Sequence, residues 1–388
     1  MRIIHARIYT MEAAGVIPDG YLDVQDGRIA AVGAWPPADD AAGEVLDAKG
    51  GWLLPGFVDA HTHLGMWEDG LGFEGDDGNE DTDPCTPQLR AVDAINPLDR
   101  CFEEAREAGV TTVVTGPGSA NPIGGQLCAL KTWGRRVDDM VVKAPVAMKM
   151  ALGENPKSTY HEKSRTPTTR MATAALIREQ LFKASRYLEA QQAALEQGKE
   201  PPAFDMKCEA LLPVLTKELP VHFHAHRVDD IYTAIRIAKE FNLDYTLIHC
   251  TEGHLIAEEL YNERSKIVLG PILTDRSKPE LKNLSIEGGA ALKAAGVRFA
   301  LCTDHPVIPI QYLPLEASLL VRGGLDRTSA LKAITIHAAQ MAGIDGRVGS
   351  IDVGKDADFL VYDGDPLSST CLPDMVIGAG EIIAPLAD

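Results

Sequence analysis

Pro55-Gly56-Phe57-Val58-Asp59-Ala60-His61-Thr62-His63 decides how the rest of the chain is read. It has the pattern of a short apolar strand that ends in two histidines. A spacing of two puts His61 and His63 on the same side of a strand. Both imidazoles then reach one point beyond the strand end, as a metal site requires. Two polar residues on a partly exposed strand would look the same. Three later strands decide between these readings, because each delivers another residue type that ligates metals.

Outward from this stretch, residues 55–345 repeat a strand-then-helix rhythm. Strands are expected at Gly56–His61, Thr111–Thr115, Gln126–Lys131, Val146–Leu152, Val221–His226, Tyr245–Cys250, Lys266–Ile272 and Arg298–Thr303. Helical patterns at Leu98–Ala108, Thr173–Gln197, Asp229–Phe241, Leu255–Glu263 and Ile286–Ala295 separate most of them. Eight parallel strands with helices between them is the count of a (β/α)8 TIM barrel. An open doubly wound sheet is the runner-up, disfavoured because no GxGxxG loop follows the early strands. Residues 1–54 read as short strands, including a hairpin with Asp26-Gly27 at its turn. These are too few to bury a core alone. Residues 346–388 supply strands at Asp356–Tyr362 and Met375–Ile377. The two ends are therefore expected to close into one small composite β-sandwich domain around the 55–345 catalytic barrel.

Composition narrows the function. Hydrophobic residues are 45% of the 388, enough for a packed core. Lys+Arg is 37 against Asp+Glu 56, a net charge of −19. That argues against nucleic acid or an anionic membrane as partner, since both need clustered cations. No run reaches the roughly 18 apolar residues of a membrane span. The seven cysteines are scattered, with no CxxC, which suits free thiols in a reducing compartment. A soluble cytoplasmic enzyme acting on a small molecule is the expectation. The edges of the terminal strands offer a route to a homo-oligomer.

In a barrel, active sites lie where the strand C-termini converge. Strand 5 reads Val221-His222-Phe223-His224-Ala225-His226, strand 6 ends Ile248-His249-Cys250, and strand 8 ends Cys302-Thr303-Asp304-His305. A lone strand histidine is more often a satisfied core residue; HxH, His, His and Asp on strands 1, 5, 6 and 8 together are hard to obtain by chance. With this set, the chain resembles the amidohydrolase superfamily of metal-dependent hydrolases, in its imidazolonepropionase-like and prolidase-like branch. The resemblance extends to the tail Gly349-Ser350-Ile351-Asp352-Val353-Gly354-Lys355-Asp356-Ala357-Asp358.

The resemblance implies roles. His61 and His63 would bind the more buried metal with Asp304, and His224 and His249 the second. His222 would lie deeper and His226 at the mouth, in reach of substrate. A carboxylated Lys149 would bridge two metals; Glu154, which follows at the strand end, is the alternative and would favour a single metal. Zinc suits these ligands, with manganese, iron or cobalt as other choices. One or two ions per chain would acidify a water that attacks an amide carbonyl, and Asp304 would shuttle the proton.

Two loops bear on substrate. Residues 68–83 carry Glu68, Asp69, Glu74, Asp76, Asp77, Glu80, Asp81 and Asp83. They read as a solvated lid or as a surface that draws a cation. Residues 154–170 carry Tyr160, Arg165 and Arg170. They read as a solvated connection or as a clamp on a substrate carboxylate. An N-acyl amino acid, a dipeptide or a cyclic amide fits the second view. Two other functions compete. A deaminase of the same superfamily would pair the strand-5 histidine with a glutamate, and strand 5 has none nearby. A metal-free barrel scaffold would have lost the ligands, and this chain keeps them.

Overall fold

The computed structural model describes residues 1–38, 43–68 and 71–385. Eight strands form the central sheet: Phe57–Thr62, Val110–Thr115, Ile123–Lys131, Val141–Ala151, Val221–Ala225, Tyr245–His249, Lys266–Leu269 and Phe299–Leu301. They are called barrel strands 1 to 8 below. Strands 1 and 2 are buried along their whole length, as expected where both faces of a sheet are covered. The sheet is nearly closed. His63 N–H donates to the His305 carbonyl (2.8 Å) and Asp304 N–H to the His61 carbonyl (3.2 Å), joining the C-terminal ends of strands 1 and 8.

One strand corrects the all-parallel expectation. Strand 3 pairs antiparallel with strands 2 and 4. The link 116–122 between strands 2 and 3 explains why. A parallel return needs a crossover of about a dozen residues or more, and this link is too short to provide one. The chain therefore turns back as a hairpin, and the remaining strands run parallel in sequence order.

The ends of the chain do pair. Phe359–Tyr362 lies antiparallel to Trp52–Pro55, which lies parallel to Arg2–Tyr9. The Asp26-Gly27 turn joins Val16–Gln25 to Arg28–Ala34, with φ of 50° and 72°, the left-handed pair that a tight hairpin takes. The sandwich expected from the sequence takes two sheets; hydrogen bonding here joins all eight terminal strands in one. Ile3, Ile8, Leu22, Leu53, Phe359 and Ile377 form its core.

Part of the stretch expected as a loop at 154–170 is helix. Glu154–Glu162 is helical, followed by Arg170–Glu196. Gly153, with φ 89°, makes the sharp strand-to-helix turn that a side chain would resist. Tyr160 is buried and its hydroxyl donates to Asn121 Oδ1 at 2.6 Å, which pins the helix to the barrel. Among the described helices none is long and apolar enough to cross a membrane.

Candidate metal centre

Barrel strand 5 sets the frame. Alternation sends His222, His224 and His226 to one side, and all three are buried. Register places Lys149 of strand 4 level with His222, so Lys149 also points into the barrel. It is fully buried, and its Nζ lies 2.8 Å from His61 Nε2 across the interior.

Alternation alone would not deliver His249. Its register partner is Ala225, which faces away from His224. His249 instead has φ 72° and Asp304 φ 55°. Side chains other than glycine rarely take this left-handed backbone, and such strain concentrates at functional sites. It turns both residues into the cluster at the strand ends. Two overlapping groups result: His224, His226 and His249 offer ligand atoms within 4.8 Å of one another, and so do His61, His249 and Asp304. His226, expected at the mouth, belongs to the first group, its ring stacked on His249 at 4.5 Å. His63 joins through Nε2, 3.3 Å from Asp304 Oδ1.

The donor chemistry fits a divalent cation. The Gly116 carbonyl can only accept, so the His63 Nδ1 facing it at 2.6 Å carries the hydrogen. Nε2 then points at the Asp304 carboxylate, in the orientation a shared cation would take. His249 is fixed alike, its Nδ1 donating to the Gly270 carbonyl at 2.8 Å. Asp304 Oδ1, His61 Nδ1 and both nitrogens of His224 have no hydrogen-bond partner among the described residues. Burial and the surrounding positive groups hold His61, His224 and His226 well below the usual histidine range. Burial lowers His249 to about 4. The imidazoles are thus neutral, the ligating form. Burial works to raise Asp304, yet His249, His63 and Lys149 hold it well below the carboxylate range. Lys149 is lowered by burial to about 8, against the pull of Asp304.

Two contributors escape sequence reading. Asp59 lies under the cluster, fully buried, accepting from the Thr303 hydroxyl (2.6 Å) and the His61 N–H (3.1 Å). Burial pushes it up to about 7. It sits in the opening stretch, where its neighbour His61 hides it. Glu280, from the segment after strand 7, is buried with Oε1 3.7 Å from His226 Nε2. Nothing in its local sequence marks it, since it reaches the site only through the fold.

Above the cluster opens a cavity of about 740 Å³ whose walls include His63, His224, His226, Asp304, Glu154 and Glu280. Glu154 therefore faces the cavity but belongs to neither ligand group, whereas Lys149 touches His61. Tyr160, Arg165 and Arg170 are not in that wall. Arg170 donates to both oxygens of buried Asp230 at 3.0 Å. Arg165 donates to the Thr82 carbonyl and lies over the Tyr160 ring. Lys163 pairs with Asp81 and Lys207 with Asp83. Lys163 and Arg165 of the segment after strand 4 thus brace the acidic loop at Asp81 and Thr82. Asp69 of that loop lies outside the described residues.

Comparison with known proteins gives the family. The amidohydrolase family model matches residues 52–384. A solved amidohydrolase from Thermotoga maritima MSB8 superposes with a TM-score of 0.95 at 40% identity, covering 99% of this chain and 100% of that one. Amidohydrolase tasK of Hapsidospora irregularis is 30% identical over 91% of this chain, which spans 38% of that protein's length. An imidazolonepropionase of Maricaulis maris is 26% identical over 93% of this chain and 92% of its own.

Proposed function

The chain belongs to the amidohydrolase family, as a hydrolase of carbon–nitrogen bonds, and on that premise we propose that it cleaves a small amide with a metal-activated water. The substrate class is a linear or cyclic amide, an N-acyl amino acid or a dipeptide. The observation that carries this reading is the convergence of two groups, His224, His226 and His249, and His61, His249 and Asp304, each with ligand atoms within 4.8 Å of one another. His61, His63 and Asp304 would hold one ion, His224 and His249 a second. A carboxylated Lys149 would lie between them, with Glu154 as the alternative. Its contact with His61 supports Lys149. Zinc suits nitrogen and oxygen donors.

When bound, such an ion supplies Lewis acidity to the carbonyl and a water acidic enough to attack at neutral pH. The protein's residues do the rest. Gly116 and Gly270 carbonyls fix the tautomers of His63 and His249, so that the same nitrogen always faces inward. Asp59 ties the His61 backbone to Thr303 beside Asp304, which holds strands 1 and 8 in register. Asp304 takes the proton of the attacking water on a carboxylate oxygen and returns it to the leaving nitrogen.

A panel of N-acyl amino acids, dipeptides and cyclic amides, assayed with and without chelator, tests this. Amide cleavage that is lost on chelation and regained with zinc is the expected result. Ammonia release from purines or pyrimidines alone would favour the deaminase reading instead.

A further inference from the structure

The walls of the catalytic cavity differ from one side to the other. Barrel strands follow sequence order, so strand 4 stands opposite the junction of strands 8 and 1. From strand 4, helix Glu154–Glu162 presents Glu154, Asn155, Ser158, Thr159 and Glu162 to the cavity. Besides the candidate ligands, the junction presents Trp67, Pro306 and Val307. Glu68 shares that side, but its carboxylate accepts from the Asn96 amide at 2.6 Å. The helix side is thus polar and the junction side apolar.

Trp67 is the largest group on the apolar side, and its position is built. Glu68 N–H donates to the Gly75 carbonyl and Asp77 N–H to the Met66 carbonyl, both at 2.9 Å. These bonds pair the backbone on either side of Trp67 with residues 75–77, and Trp67 itself bridges to Asp76. Gly78 seats the indole: a Cβ added there would collide with three atoms of the six-membered ring. The ring meets His63 edge to face, with centroids 4.9 Å apart. His63 in turn points Nε2 at Asp304. Trp67 is nevertheless only half-buried, so part of the ring stays open on the cavity wall. An indole held in place beside the ligand cluster loses little freedom when a ligand covers it, and gains the burial.

We propose that Trp67 is a specificity-determining residue: its indole receives an apolar group of the substrate, so that the amide lies across the metal centre with that group toward the junction of strands 8 and 1 and its polar end toward helix Glu154–Glu162. This rests on the amide-hydrolase reading and adds an orientation to it.

Benzylphosphonate and methylphosphonate test this on metal-replete full-length protein. They share an anionic head for the metal centre and differ only in the apolar group. Wild type should bind benzylphosphonate at least about tenfold tighter, the weight of one buried aromatic ring. None of Trp35, Trp52 and Trp133 is in the described wall, so a change in indole emission on binding reports Trp67. Benzylphosphonate should change that emission in wild type. Trp67→Ala should reduce the affinity ratio to within about twofold. Trp67→Phe should keep most of the ratio while losing the emission change, and it tests the proposal should the alanine variant fail to fold. A purely structural tryptophan would weaken both ligands alike and leave the ratio intact. Equal binding of the two by wild type, no emission change, or a ratio that survives in Trp67→Ala would each overturn the proposal. Binding of neither ligand to metal-loaded protein would overturn the metal-centre reading, and the proposal with it.

Discussion

Single residues decide the chemistry at this site. Lys149 is buried, contacts His61, and has no carboxylate hydrogen-bonded to it among the described residues, a costly state for an amine. Lys149→Ala should abolish any added carboxylate mass and lower activity about 100-fold or more, with loss of bound metal; an active, metal-loaded variant would move the role to Glu154. His337 gives a pH test away from the site. Burial lowers it to about 4, although its Nδ1–H bond to the Phe299 carbonyl favours the charged ring. A depressed pKa means the folded state prefers the neutral ring. Its contribution is therefore present above the unfolded value near 6.5 and is lost as pH falls through about 4. In chelator-treated protein, His337→Gln should narrow its stability gap to wild type across that window in urea melts; a constant gap would refute the shift. His61, His63, His224, His249 and Asp304 were legible because two-residue spacing and strand ends are local patterns. Asp59 and Glu280 were not, because packing between distant segments gives them their meaning.

Elements carry these residues to the site. The junction of strand 4 with helix Glu154–Glu162 depends on Gly153. Its φ is 89°, and an added Cβ would meet Asp230 Oδ2 at 3.1 Å and Glu280 Oε2 at 3.2 Å. Gly153→Ala should cost about 1–3 kcal/mol in urea unfolding; unchanged stability would show that the turn relaxes freely. The helix itself was hidden in the sequence by its polar composition, with Tyr160 and Pro156 its only buried residues. Strand 3 was legible as a strand but not in direction. The brevity of 116–122 held that information, and the rhythm of the other strands outweighed it.

Across the whole molecule, buried ion pairs fasten the barrel to the terminal sheet. Lys131 at the end of strand 3 bonds Asp358 and lies 2.9 Å from Asp356, with all three side chains buried. Arg347 also holds Asp356 at 2.8 Å, so Asp358 is the carboxylate that depends on Lys131. Lys131→Met would leave it buried with no cation beside it and, among the described residues, only the Ala379 N–H as a donor, at a cost of about 3–5 kcal/mol. Urea unfolding should show that loss; a change under about 1 kcal/mol would mean water reaches Asp358. Alternation of strands and helices made the barrel legible, and the tail motif made the return of the C-terminus legible.

Metal content per chain, measured on wild type purified without chelator together with intact mass under non-denaturing conditions, tests the central claim most directly. The account predicts about two divalent ions and roughly 44 Da of added mass, the carboxylate on Lys149. Protein that carries no metal, and takes none up on incubation with zinc, would contradict it.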